Sequence, residues 1–181
     1  MLLQISRRPA RFNAGDEIVL LEDQDRSLWN QPFINEALAL LDKALRHRQP
    51  APYQIQAAIA AVHSRAKRAG DTDWVEIDLL YRALERLQPS PVITLNRAVV
   101  VSKLQGAQDA LDLIDPLGEK LGGYFYYHGL RGGLLKQLGL TSQAREAFDR
   151  AIALAHSAAE AAHIRRQIDK MQEEATQPIA K

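Results

Sequence analysis

The sequence predicts an all-α protein: a solenoid of helical hairpins, about seven helices in all, entered through a short N-terminal extended arm or hairpin. Three observations predict it. From Phe33 onward the apolar residues recur at spacings of three and four, as in Ile34, Ala37, Leu38, Leu41 and Leu45, which is helical periodicity. Turn clusters then punctuate the chain at intervals that leave room for helices of about 12 to 18 residues. Finally, residues 91–124 superpose on 125–158 at a period of 34 residues, with small and apolar positions in step.

Residues 1–30 form the arm. Leu2 to Ser6 are apolar with no helix-start signal before them. Asn13, Gly15 and Asp16 predict a turn between two short extended pieces, ARF and EIVLL, and Pro32 behind Asn30 marks a capped helix start. Residues 31–174 make the helical domain, interrupted at QPAP (49–52), AGDTD (69–73), QPSP (88–91), QG (105–106), LGG (121–123), LGLT (138–141) and HS (156–157). Ser157 to Glu174 reads as a capping helix over the last apolar face, and 175–181 as a flexible tail.

The 34-residue period is the tetratricopeptide length. In that register position 8 holds Ala98 and Gly132, position 20 holds Ala110 and Ala144, position 24 holds Ile114 and Phe148, and position 27 holds Leu117 and Ala151. Two helices cross where position 8 meets position 20, so both must be small, while position 24 supplies a bulky filler. Stepping back once more gives a unit at 57–90 with Leu80 and Ala83 in phase, but with the looser Ser64 and Glu76 at positions 8 and 20. Antiparallel bundles also show alanines and leucines at such spacings.

Charge and composition exclude several classes of function. Lysine plus arginine number 23 against 22 acidic residues, so no global excess points to nucleic acid or an anionic membrane. The absence of cysteine removes disulfides, thiolate zinc sites and thiol nucleophiles, and makes a reducing cytoplasm the expected compartment. The longest apolar run, Ala57 to Val62, is far short of the roughly 18 residues of a membrane span.

Chemistry-bearing patterns are weak. Glu22, Asp23 and Asp25 beside Arg26 offer oxygens to a hard cation but lack the glycine turn and closing glutamate of a calcium loop, so capping and pairing is the competing reading. Trp29 and Trp74 read as core anchors. His156 and His163 lie seven apart, and His63 and His128 fall in separate units, unlike the closer spacing of zinc sites. There is no nucleophile elbow and no phosphate-cradling loop, and the mid-helix pair Gly132 and Gly133 suits close packing. The expected reading is a non-enzyme without cofactor or metal.

The groove of such an array carries the functional expectation. The floor residues are Val92, Leu95, Asn96, Val99, Tyr126, Leu130 and Gly133, and a basic residue follows in each unit: Arg68, Lys103 and Lys136. Either these cations complement helix dipoles, or they line a rim that cradles an acidic segment with Asn96 bonding its backbone. The chain's own 22–25 run is one acidic candidate.

The blocks LEDQDRSLWN (21–30), PYQIQAAIAAVHSRA (52–66), DTDWVEIDLLYRAL (71–84) and PSPVITLNRAVVVS (89–102) resemble the C-terminal extension of extracytoplasmic-function sigma factors that end in tetratricopeptide-like repeats. The resemblance spans nearly all of residues 1–172. It implies a regulatory, protein-interacting module that modulates transcription initiation through the sigma promoter-binding domains or RNA polymerase, with those domains upstream and no direct DNA contact from these residues. The alternatives are a free-standing adaptor that binds a peptide segment of another protein, and a metal-dependent hydrolase using the arm carboxylates.

Overall fold

The computed structural model describes residues 1–46 and 51–176, and it is all-helical as the periodicity predicts. Its contacts divide the chain into two compact units, Met1–Ile93 and Thr94–Lys181.

The first unit opens with a short helix, α1 (Leu2–Ile5), followed by a 3-10 turn at Arg8–Ala10 with Pro9 as its second residue. The expected hairpin is reduced to an isolated bridge between Phe12 and Ile18, closed by Val19 N–H donating to the Arg11 carbonyl at 2.9 Å. Asn13 builds the turn: its Oδ1 accepts from Gly15 N at 2.9 Å and Glu17 N at 3.0 Å, and Asp16 takes a left-handed φ of 56°. The extended piece ARF is shorter than expected because proline's fixed φ suits the first turn of a helix, so Ala10 ends a 3-10 turn instead of entering a strand.

Three helices complete this unit: α2 (Gln31–Leu45), α3 (Pro52–Arg65) and α4 (Trp74–Leu87). Each start is locally encoded. Asn30 caps α2 by accepting from Phe33 N at 3.0 Å, Pro52 opens α3 with Gln54 Oε1 accepting from Ala51 N at 2.8 Å, and Asp73 caps α4 by accepting from Glu76 N at 2.8 Å. α1 packs on α2 and α3, α2 on α3, and α3 on α4. Leu3, Ala10 and Trp29 from the segment before α2 are buried with Ile34, Leu41, Ala60 and Ala61, so that segment is part of the core. In the 57–90 repeat unit Leu80 and Ala83 stay half-exposed, whereas Ile77 and Leu84 are fully buried. The connection from Ala66 to Asp73 contains an extra 3-10 turn, Ala69–Asp71, which changes the phase of α4.

The second unit contains most of α5 (Pro91–Leu104), then α6 (Ala107–Ile114), a 3-10 turn at Asp115–Leu117, α7 (Gly118–Leu121), α8 (Phe125–Gln137), α9 (Thr141–Ala153) and α10 (Ala158–Thr176). Pro116 breaks the stretch between the predicted turns into α6 and α7. Gly139, at φ 73°, ends α8 in a left-handed cap whose bonds run from Gly139 N to Lys136 O and from Leu140 N to Leu135 O, both 3.0 Å. α8 packs on α6, α9 and α10, and α9 packs on α10. Ala98, Ala110, Ile114, Ala144, Phe148 and Ala151 are all buried in phase with the 34-residue register. One contact differs from expectation: the atoms nearest Gly132 belong to the ring of Phe148, so position 8 here is small to admit the filler at position 24. Gly133 faces open space. The expected capping helix is α10, while the tail expected at 175–181 lies, from residue 177, outside the described residues.

Candidate functional site

In the first unit one arginine ties three segments together. Asp25 caps the 3-10 turn Arg26–Leu28, accepting from Ser27 N at 2.9 Å, and these hydrogen bonds hold its carboxyl below the ordinary carboxylate range. Arg26 Nη1 donates to the carbonyls of His63 at 2.6 Å and Ala66 at 2.7 Å, and its Nη2 to Thr72 Oγ1 at 3.3 Å. Those carbonyls lie at the C-terminal end of α3, where the helix has no further N–H groups to offer. The guanidinium also lies 4.8 Å from the centroid of the Trp29 ring. Arg26 therefore bonds to two main-chain carbonyls and to the Thr72 hydroxyl. Among the described residues no three His, Asp or Glu side chains gather as metal ligands.

His63 stands edge-on to Trp74, with ring centroids 5.4 Å apart. Burial, then the charges of Arg7 and Arg26, push its pKa down from 6.5 to about 4. Folded His63 is thus neutral between about pH 4 and 6.5, where the unfolded chain takes up a proton. The unfolded state binds more protons in that window, so stability is full above pH 6.5 and falls as pH drops towards 4. Urea denaturation is expected to show this loss between pH 7 and pH 4.5, at no more than about 1.4 kcal/mol per pH unit, and His63→Phe should flatten it. A slope unchanged by His63→Phe would assign the acid sensitivity to other groups.

The predicted groove residues take varied surroundings. Asn96 is exposed on α5, and Lys103 is exposed in its last turn, but Leu95 is buried and so forms no part of an open floor. Tyr126, 55% exposed, donates from its hydroxyl to Glu160 of α10 at 3.3 Å. Lys136, in the last turn of α8, pairs with Glu174 of α10 at 3.0 Å and is only 19% exposed. α10 thus sets its own carboxylates against two of the predicted groove residues. Arg68 lies beyond the end of α3 in extended backbone, not in a helix's last turn, and meets Asp71 through Nε and Nη2 at 3.2 Å each. The intervening break at Ala66 removes it from any helix dipole.

A surface that the repeat register did not mark lies elsewhere in the first unit. Leu45, Ile55, Ala58, Leu80, Ala83 and Leu87 line an apolar cleft of about 330 Å³ between α2, α3 and α4, with Gln54 and Arg86 as its polar members. Leu87 at its edge is 51% exposed. The available signal was the pairing of in-phase Leu80 and Ala83 with poorly matching Ser64 and Glu76: the unit keeps apolar positions that its hairpin partner does not cover.

Fold and site together define an all-helical protein of helical hairpins with an arginine-clasped N-terminal unit and an open apolar cleft. Residues 1–45, which contain the clasp arginine, match a family of unknown function (DUF6596). The chain is 69% identical over 171 residues to an uncharacterized protein of Rhizobium meliloti (strain 1021), an alignment covering 94% of this chain and 40% of the relative. The chain therefore spans about two-fifths of the length of that relative. No solved structure matches. Among the described residues no helix is long and apolar enough to cross a membrane.

Proposed function

We propose that these residues form a protein-interaction and regulatory module of an extracytoplasmic-function-type sigma factor. The module modulates transcription initiation through contacts with the promoter-binding sigma domains or RNA polymerase. The apolar cleft of the first unit carries the reading: Leu45, Leu80, Ala83 and Leu87, lining it side by side, suit the apolar face of a polypeptide segment. The sigma-factor assignment rests on the resemblance of the blocks at 21–30, 52–66, 71–84 and 89–102, and the greater length of the Rhizobium meliloti relative supports a module within a larger protein.

Deleting residues 1–181 from the full-length protein is expected to change promoter-specific transcription in vitro by about fivefold or more, the lower end of ordinary coupling energies. The double substitution Leu80→Glu with Ala83→Glu should act in the same direction. Transcription unaltered by the deletion sinks the proposal. Charge reversal at Arg68, Lys103 and Lys136 should weaken the contact and its salt dependence; an unchanged affinity removes those residues from the interface.

A further inference from the structure

In the N-terminal segment two guanidinium groups converge on one neutral oxygen. Arg7 Nη2 and Arg11 Nη2 both donate to Oε1 of Gln4, Arg11 at 3.4 Å, and Arg11 also donates to the Gln4 backbone carbonyl at 2.8 Å. Arg7 lies 5.8 Å from the centroid of the Trp29 ring, the same ring that Arg26 approaches at 4.8 Å. Among the described residues the hydrogen-bond acceptors these three arginines meet are amide, main-chain carbonyl and hydroxyl oxygens, none of them ionised, and the Asp71 carboxylate acts on Arg26 through its charge alone. Half-burial, with the charges of Arg11 and Arg26, pushes the Arg7 guanidinium down to about 10. That is a cluster of positive charge, partly desolvated at Arg7 and Arg26 and exposed at Arg11, whose hydrogen-bond partners among the described residues carry no negative charge.

We propose that Gln4, Arg7 and Arg11 form a carboxylate-binding site, whose ligand is an acidic side chain of a bound polypeptide segment. An amide oxygen offers a guanidinium only a dipole, whereas a carboxylate offers a full charge and two oxygens that match the planar fork. The group on which the two arginines now meet is a planar amide, whose trigonal carbon matches that of a carboxylate, and this favours a planar carboxylate over a tetrahedral phosphate. The inference rests on the interaction reading above only in naming a polypeptide as the source of the acid; the site itself stands on the arginine geometry.

The experiment is thermal unfolding and titration of the 181-residue chain at constant ionic strength, with glutarate, an acetylated hexaglutamate peptide and inorganic phosphate as probes. Glutarate and the peptide should both raise the melting temperature above the chloride control, the peptide at lower concentration. Gln4→Glu places a carboxylate where the arginines converge; it should raise the melting temperature without ligand and abolish the response to both carboxylate probes. Arg11→Gln, whose side chain is exposed, should weaken peptide binding by about tenfold or more, the loss of one charged hydrogen bond or two. A response to phosphate alone overturns the carboxylate assignment. A carboxylate response that survives both substitutions, or none in the parent chain, overturns the site. None of these outcomes depends on transcription, so the site can fail while the sigma-factor reading stands, and the reverse.

Discussion

Gly132→Val is expected to destabilise the hairpin of α8 and α9 by a large fraction of an ordinary domain's stability. A Cβ placed at Gly132 falls 2.5 Å from Cδ1 and 2.6 Å from Cε1 of Phe148, far inside contact distance. The ring cannot retreat, because Phe148 is 1% exposed and packed in the core of the second unit. Even Gly132→Ala should lose about 1 to 3 kcal/mol to overpacking, against which the better helix propensity of alanine returns about 1 kcal/mol. The branched valine adds two further carbons to the same overlap and should cost about 3 kcal/mol or more. Gly133 is the internal control. It is one residue away in the same helix, and a Cβ added there would meet no atom within 4 Å, so Gly133→Ala should stabilise by about 0.5 to 1 kcal/mol. Urea denaturation of the variants measures the difference, and shrinking the ring in a Gly132→Ala, Phe148→Leu double variant should recover part of the loss. Equal shifts at 132 and 133 would mean that the ring contact does not govern the packing of α8 against α9.

Arg26→Ala should destabilise the first unit by about 3 kcal/mol or more. It deletes charged hydrogen bonds to two main-chain carbonyls and the Thr72 hydroxyl, leaves the end of α3 short of donors, and removes the cation from the Trp29 face. Arg26→Lys keeps the charge but not the planar fork whose Nη1 meets two carbonyls while its Nη2 meets the Thr72 hydroxyl, so it should recover less than half of the loss. Arg68→Ala serves as the contrast, since its pair with Asp71 is solvent-exposed and should leave the unfolding midpoint unchanged within error. Hydrogen exchange would locate the effect: the amides of α3 and of the connection to α4 should lose protection in Arg26→Ala. Protection unchanged there would show that Arg26 does not hold these segments together.

The helix starts and stops were legible because their causes are local. Asn30, Pro52 and Asp73 act on backbone groups within three residues of themselves, and Gly139 takes its φ of 73° regardless of distant packing. The same holds for the buried register of 91–158, where short connections between helices repeat the phase of Ala98, Ala110 and Ile114 at Gly132, Ala144 and Phe148. The register was lost at 57–90, where the longer connection with its 3-10 turn resets α4 and leaves Leu80 and Ala83 lining a cleft.

What the sequence by itself determined is the all-helical class, the positions of most turns and the small residues of the second unit, since helical periodicity and capping are short-range physics. Only the tertiary structure decided what the arginines do. Arg26 bonds to carbonyls 37 and 40 residues away, and main-chain acceptors leave no trace in residue type. Lys136 reads equally as a groove cation or a helix-end charge until Glu174, 38 residues on, is brought beside it by the packing of α10. Arg7 and Arg11 look like ordinary surface charge until the short α1 helix turns Gln4 towards both, and the absence of an ionised acceptor among their hydrogen-bond partners in the described residues becomes visible.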